Sequence, residues 1–266
     1  FGNDSRAYAP GVSPLRKRDL LAFDANDVQG NRIVNRFEEI LRHNNVSDKE
    51  NAFNRLVALF IAKLADELGK DDDEEVEFQY RQGSDTYESL QDRLQRLHQE
   101  GMRNLMREDV LYVPSDYAER LLRTYSGQNR KGFLLELNGT LRKLKFYTNS
   151  DFAFKDVHNE ELFLQNSKVL VEMVRLFQPY RLVEEKRAGE AMQGNQFLGD
   201  LFERLLSQGF KQNEGQFFTP IPLARFMWKS LPLGEIMSDG GLKYPKVIDY
   251  ACGAAHFLTE GFEEIN

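Results

Sequence analysis

The chain has a single cysteine, Cys252, among 266 residues, so no disulfide can form within it and a reducing, cytoplasmic setting is expected. Its eight prolines include no adjacent pair. No apolar run approaches the roughly 18 residues that a membrane span needs, and the first residues show no secretory signal. A basic excess is missing as well. Lys and Arg number 35 against 42 Asp and Glu, a net charge of −7, which argues against a freestanding nucleic-acid-binding module. Contact with DNA through a local patch or a partner subunit stays open. No internal repeat is present. The acidic run Asp71–Glu75 lacks the interleaved ligands and glycine turn of a calcium loop, so it reads as a solvated loop and no metal is expected.

What is present is mostly helical pattern. Residues 1–30, with Pro10, Pro14 and the basic triplet Arg16-Lys17-Arg18, read as an irregular segment, the triplet as a solvated patch. A short helix fits 30–42. A long one starts after Ser47, where Ser47-Asp48-Lys49-Glu50 has the form of a capping box. Phe53, Leu56, Val57, Phe60, Ile61, Leu64 and Leu68 then recur at three and four residues. Gly69 is expected to close it in a left-handed cap. Val76–Tyr80 alternates like a short extended piece. Further helices fit 86–106, a stretch capped by Ser115, 130–144, 159–178 and 194–208. Residues 31–190 therefore read as an α-helical domain, and 191–266 as the start of an α/β domain. The sequence begins with Phe1 rather than Met and stops within an apparent helix, so a segment of a longer protein is expected.

Two short segments carry the chemistry. Val247-Ile248-Asp249-Tyr250 suits the buried end of a parallel strand, and the small residues Ala251, Gly253, Ala254 and Ala255 lead into a helix near Phe257. A strand that empties through a tight turn into a helix brings backbone N–H groups to a ligand. Gly253 permits close approach. Asp249 at the strand end can order the turn or accept from a ligand ammonium. The structural alternative is a plain strand–helix turn with Cys252 buried. Some thirty residues earlier stands Gly215-Gln216-Phe217-Phe218-Thr219-Pro220. Thr219 is a good N-cap and Pro220 a good first helical residue, for a helix expected to bury Leu223, Phe226, Met227 and Leu231. Capping does not account for the two aromatics.

Together the segments resemble the cofactor motifs of adenine-specific DNA methyltransferases, above all the modification subunits of type I restriction systems. Residues 215–220 agree with that family's box at every position. Residues 249–258 follow its Asp-Pro-Ala-Cys-Gly-Ser-Gly-Gly-Phe-Leu with four departures, at Tyr250, Ala254, Ala255 and His256. The resemblance runs loosely back to about 193, through Gly199–Leu206. It implies a mostly α protein whose helical domain precedes the truncated start of a Rossmann-like α/β domain dependent on S-adenosylmethionine. Phe218 and Thr219 would touch the methionine end of the cofactor, with Gln216 and Phe217 supporting them. The turn would add Asp249, Ala251, Cys252, Gly253 and Phe257.

The resemblance also implies partners: DNA, and specificity and restriction subunits or fused domains, with no membrane. The helical domain would help to embrace DNA, and Arg130, Lys131, Arg142, Lys143 and Lys145 are its densest basic stretch, readable as phosphate contacts or as a solvated helix face. Adenine methyltransferases hold the extruded base with an Asn/Asp-Pro-Pro-Tyr/Phe tetrapeptide. No Pro-Pro occurs here, so no catalytic residue is assigned and the tetrapeptide is expected beyond residue 266, the segment alone being inactive. The alternatives are a methyltransferase acting on protein or RNA and an inactive scaffold with the same fold.

Overall fold

Helix α2, Lys49–Leu68, runs through the core of the first unit, and its burial explains much of the packing there. The computed structural model describes residues 14–22, 28–149, 151–183, 221–239, 246–253 and 255–265. The chain divides into two compact units, Phe1–Glu184 and Glu185–Asn266. In the first, the other helices are α1 (Val28–His43), α3 (Tyr87–Gly101), α4 (Tyr117–Leu121), α5 (Arg130–Tyr147) and α6 (Glu160–Phe177). Of the expected irregular segment 1–30, only 14–22 and 28–30 are described, and α1 already begins at Val28.

The helices form where periodic apolar residues meet caps. α2 opens on Asp48, not Ser47: its carboxylate accepts from Asn51 N. Gly69 ends it at φ −85, donating to Ala65 O, so the left-handed cap expected there does not form. Thr86 and Ser89 cap α3 reciprocally, and Asn159 caps α6. The expected helix at Ser115 shrinks to α4, which has no side-chain cap and buries only Ala118. Leu56, Leu59 and Phe60 of α2 pack with Leu90, Leu94 and Leu97 of α3 and Val169, Leu170 and Phe177 of α6 in one buried core. Phe60 and Phe177 meet edge to face at 4.8 Å. α3 lies tight on α2 because Gly101 has no side chain; a Cβ there would sit 2.6 Å from Ile61 Cγ2 and 2.7 Å from Ile61 O. Beyond Gly101 the helix widens into a π turn, Met102–Met106, ended by Arg107 at φ 58.

Charges are buried in the same core. Lys63 and Glu67, both fully buried, pair at 3.0 Å. The Glu67 carboxylate also accepts from Leu182 N and Val183 N, at 2.8 Å each. Asp66, one residue back, accepts from Glu77 N and Phe78 N. This fixes Val76–Tyr80 as an irregular loop with Val76 and Phe78 inside, where a short extended piece was expected. Burial pushes the Lys63 ammonium below its ordinary pKa, against the pull of Glu67. It pushes the Asp66 carboxyl up, against its two backbone donors.

A short parallel pair, β1 (Leu21–Ala22) with β2 (Tyr180–Arg181), ties the two ends of the unit together. Between them lies the acidic loop, and the basic triplet is its partner. Arg18 pairs with Asp73, Lys17 Nζ donates to Lys70 O, and Arg181 pairs with Asp72 at 2.9 Å. The triplet is thus partly neutralised by its neighbours, not a free patch.

Two outcomes follow for this unit. Glu67→Ala leaves a buried lysine without its counter-charge and two N–H groups without acceptors, and should cost about 3–5 kcal/mol in urea unfolding. The second concerns His98, buried edge to face on Phe152 at 5.7 Å. Burial holds its pKa below the usual 6.5, only partly offset by Asp151 at 3.7 Å. The folded state therefore binds fewer protons than the unfolded one below pH 6.5. Stability is retained above that value and falls as pH drops through it, by at most about 1.4 kcal/mol per pH unit. His98→Gln should flatten that slope in pH-dependent melting.

Candidate functional site

The second unit builds its described part from α7 (Ile221–Lys229), α8 (Leu233–Asp239) and α9 (His256–Ile265). The box 215–220, with Gln216, Phe217, Phe218 and Thr219, lies outside the described residues, as does the helix expected over 194–208. Ile221, the first residue of α7, follows that box directly in sequence.

α7 and α9 pack on each other through a mixed seam. Arg225 Nε meets Glu260 Oε2 at 2.8 Å, with Glu260 itself buried, and Lys229 Nζ meets Glu264 Oε2 at 3.9 Å. These pairs advance in the same direction along both helices, so the helices run in parallel and their N-termini share one end. Trp228, the only tryptophan of the chain, fills the seam. Its Nε1 donates to Phe257 O at 2.5 Å, and its ring covers Gly261, where a Cβ would lie 2.3 Å from Trp228 Cζ2. Ala224 is fully buried beside it. The expectation that α7 buries Leu223, Phe226, Met227 and Leu231 is therefore overturned. All four are exposed, because Ala224 and Trp228 define the face turned to α9. Sequence reasoning missed Arg225, Trp228, Glu260 and Gly261. The one available signal was Trp228 spaced four residues from Ala224.

The turn before α9 takes a defined shape. Asp249 Oδ1 accepts from Ala251 N at 2.9 Å, an Asx turn, and Ala255 N donates to Cys252 O at 2.6 Å. Asp249 thus orders the turn, one of the two roles open to it. Gly253 sits at φ 51, and among the described residues an added Cβ would find only Ala251 O, at 4.0 Å. Among those residues the backbone here is open to approach by a ligand. Ala251, Cys252 and Gly253 are exposed and Phe257 is half-buried, so the alternative of a buried Cys252 does not hold. The expected strand does not form. Residues 246–249 have no regular structure, and Val247, Ile248 and Tyr250 are exposed. A strand exists through its neighbours, and no extended partner lies beside this run among the described residues.

Ala255 is the informative departure. It stands at φ 61, a left-handed conformation, where the resembling motif has glycine. A Cβ in that region costs about 1 kcal/mol or more. Ala255→Gly should therefore raise the stability of this unit by about 1 kcal/mol, read from the unfolding midpoint of Trp228 fluorescence.

In the first unit the basic stretch is divided. Arg142 is held by Glu88 at 2.5 Å and by Glu160 at 2.9 Å, and Lys145 pairs with Asp92 and donates to Val113 O. Those two cations fasten α5 to its surroundings. Lys131 and Lys143 are exposed and Arg130 half-exposed.

Residues 193–266 match the model of the family described as N-6 DNA Methylase, a span that includes both motifs. No curated protein matches the chain. No helix among the described residues is long and apolar enough to cross a membrane.

Proposed function

We propose that this chain belongs to an adenine-specific DNA methyltransferase of the type I modification-subunit kind, and that its second unit forms the methionine end of an S-adenosylmethionine site within a Rossmann-like domain. The observation that carries the reading is the parallel packing of α7 on α9. It places the helix that follows Gly215–Pro220 and the helix that follows Asp249–Ala255 with their starts at one end. The two motifs adjoin those starts in sequence, which supports a shared site, and the family match spans both.

The residues suit that cofactor. Gly253 leaves open backbone at a left-handed turn, the start of α9 offers N–H groups to a carboxylate, and Asp249 holds the turn's shape. Phe218 and Thr219, supported by Gln216 and Phe217, would complete the wall from the box, with Ala251, Cys252 and Phe257 on the turn side. When bound, the cofactor supplies the methyl group that the exocyclic amine of an extruded adenine accepts. The base-holding Pro-Pro tetrapeptide is not in these 266 residues.

The four departures at Tyr250, Ala254, Ala255 and His256 give the inactive-scaffold reading its footing. One experiment separates the readings. In a protein carrying this chain together with the tetrapeptide, methyl-tritiated S-adenosylmethionine should label DNA at adenine N6 and cross-link under ultraviolet light. Gly253→Val should abolish both while the helical unit melts unchanged, because a β-branched residue resists φ 51 and fills the approach. Undiminished cross-linking in that variant would remove the turn from the site. Labelling of protein or RNA in place of DNA would reassign the substrate.

A further inference from the structure

α5 is fastened at one end only. Its C-terminal turns hold Arg142 and Lys145 in their ion pairs and bury Phe146 against Phe163, with ring centroids at 5.5 Å. Phe146 is the one buried residue of its eighteen. Towards the N-terminus, Tyr125 rests on Phe133 at 5.6 Å, and Leu135 is 77% exposed.

Along the helix, Leu134, Leu137, Leu141 and Leu144 are spaced three, four and three residues apart, the a and d spacing of two heptads. The first three are half-buried and Leu144 is 56% exposed, so the seam is formed but incompletely covered. Leu121 is exposed at the end of α4, a helix in contact with α5. Arg130 stands at the N-terminal end of the seam and Lys131 on its flank. Neither makes an ion pair with any described residue.

We propose that this seam is a docking site for an acidic amphipathic helix of another protein. The charge balance selects that occupant. α5 carries five cations and one acid, Glu136, and with Arg142 and Lys145 paired to acids of other elements, Arg130, Lys131 and Lys143 remain. Residues 102–147 hold nine Lys and Arg against five Asp and Glu, within a chain of net charge −7. A second copy of α5 laid on the first would oppose cation to cation, whereas Glu and Asp at a partner's flanking positions would face Arg130 and Lys131. Nucleic acid would satisfy the cations but would leave the exposed Leu144 and the uncovered parts of Leu134, Leu137 and Leu141 without apolar cover. The inference does not depend on the methyltransferase reading, because it uses no residue of the second unit.

The test uses the whole chain and two labelled three-heptad peptides with Leu at a and d, one carrying Glu and the other Lys at e and g. Fluorescence anisotropy should show saturable binding of the Glu peptide alone, weakened in about 0.5 M salt. Leu137→Asp and Leu144→Asp should each weaken it at least about tenfold. Leu144 is largely exposed, so that variant keeps the parent melting temperature and separates docking from folding. Charge reversal at Arg130 and Lys131 to Glu should transfer the preference to the Lys peptide. Equal binding of both peptides, or of neither, would overturn the proposal. So would a dimer in sedimentation equilibrium that Leu144→Asp dissolves, which makes a second copy the occupant. Displacement of the Glu peptide by duplex DNA at stoichiometric concentration would make it a nucleic-acid surface instead.

Discussion

The pair Lys63–Glu67 is the constraint on which the helical unit depends. A charge pair taken fully out of water is costly, and is tolerated when further hydrogen bonds complete the shell around it. Here the shell is backbone. Glu67 takes the N–H groups of Leu182 and Val183, and Asp66 beside it takes those of Glu77 and Phe78. Two irregular segments that belong to no helix are thereby fastened to the last turn of α2. Removing the charges would free both segments at once.

The second unit shows another economy of means. Trp228, Gly261 and the Arg225–Glu260 pair lock α7 to α9, the helices that follow the two motifs in sequence. None of those four residues belongs to either motif. The packing that aligns the starts of α7 and α9 is supplied a turn or two further along each helix.

How much of this was legible in the sequence depended on how local each cause was. α2, α3 and α6 declare themselves by apolar residues at three and four positions, and their caps lie within a few residues of the first turn. The turn at Asp249–Ala255 was legible as a motif for the same reason. Longer-range causes were not. Lys63 and Glu67 are spaced like any surface pair of a helix, and nothing local marks them as buried. Arg142 and Lys145 read as part of a basic stretch because their acids, Glu88, Glu160 and Asp92, lie far along the chain. The strand at Val247–Tyr250 was read from composition, but a strand is a relation between segments, and composition describes only one of them. α7 misled for a related reason: its larger apolar residues outnumber Ala224 and Trp228, yet fit against α9 chose the smaller set.

The pairing of Leu21 with Tyr180 has a consequence for how the helical unit comes into being. The two strands are roughly 160 residues apart in sequence, a contact of very high order beside the local ones that build each helix. During synthesis β1 emerges early and stays unpaired until nearly the whole unit has followed it. The helices can assemble meanwhile, and Lys17 and Arg18 can bond to the acidic loop, but β1 and the exit at Leu182 close only at the end. Completion of this unit is thus tied to the moment at which the chain crosses from the first unit into the second.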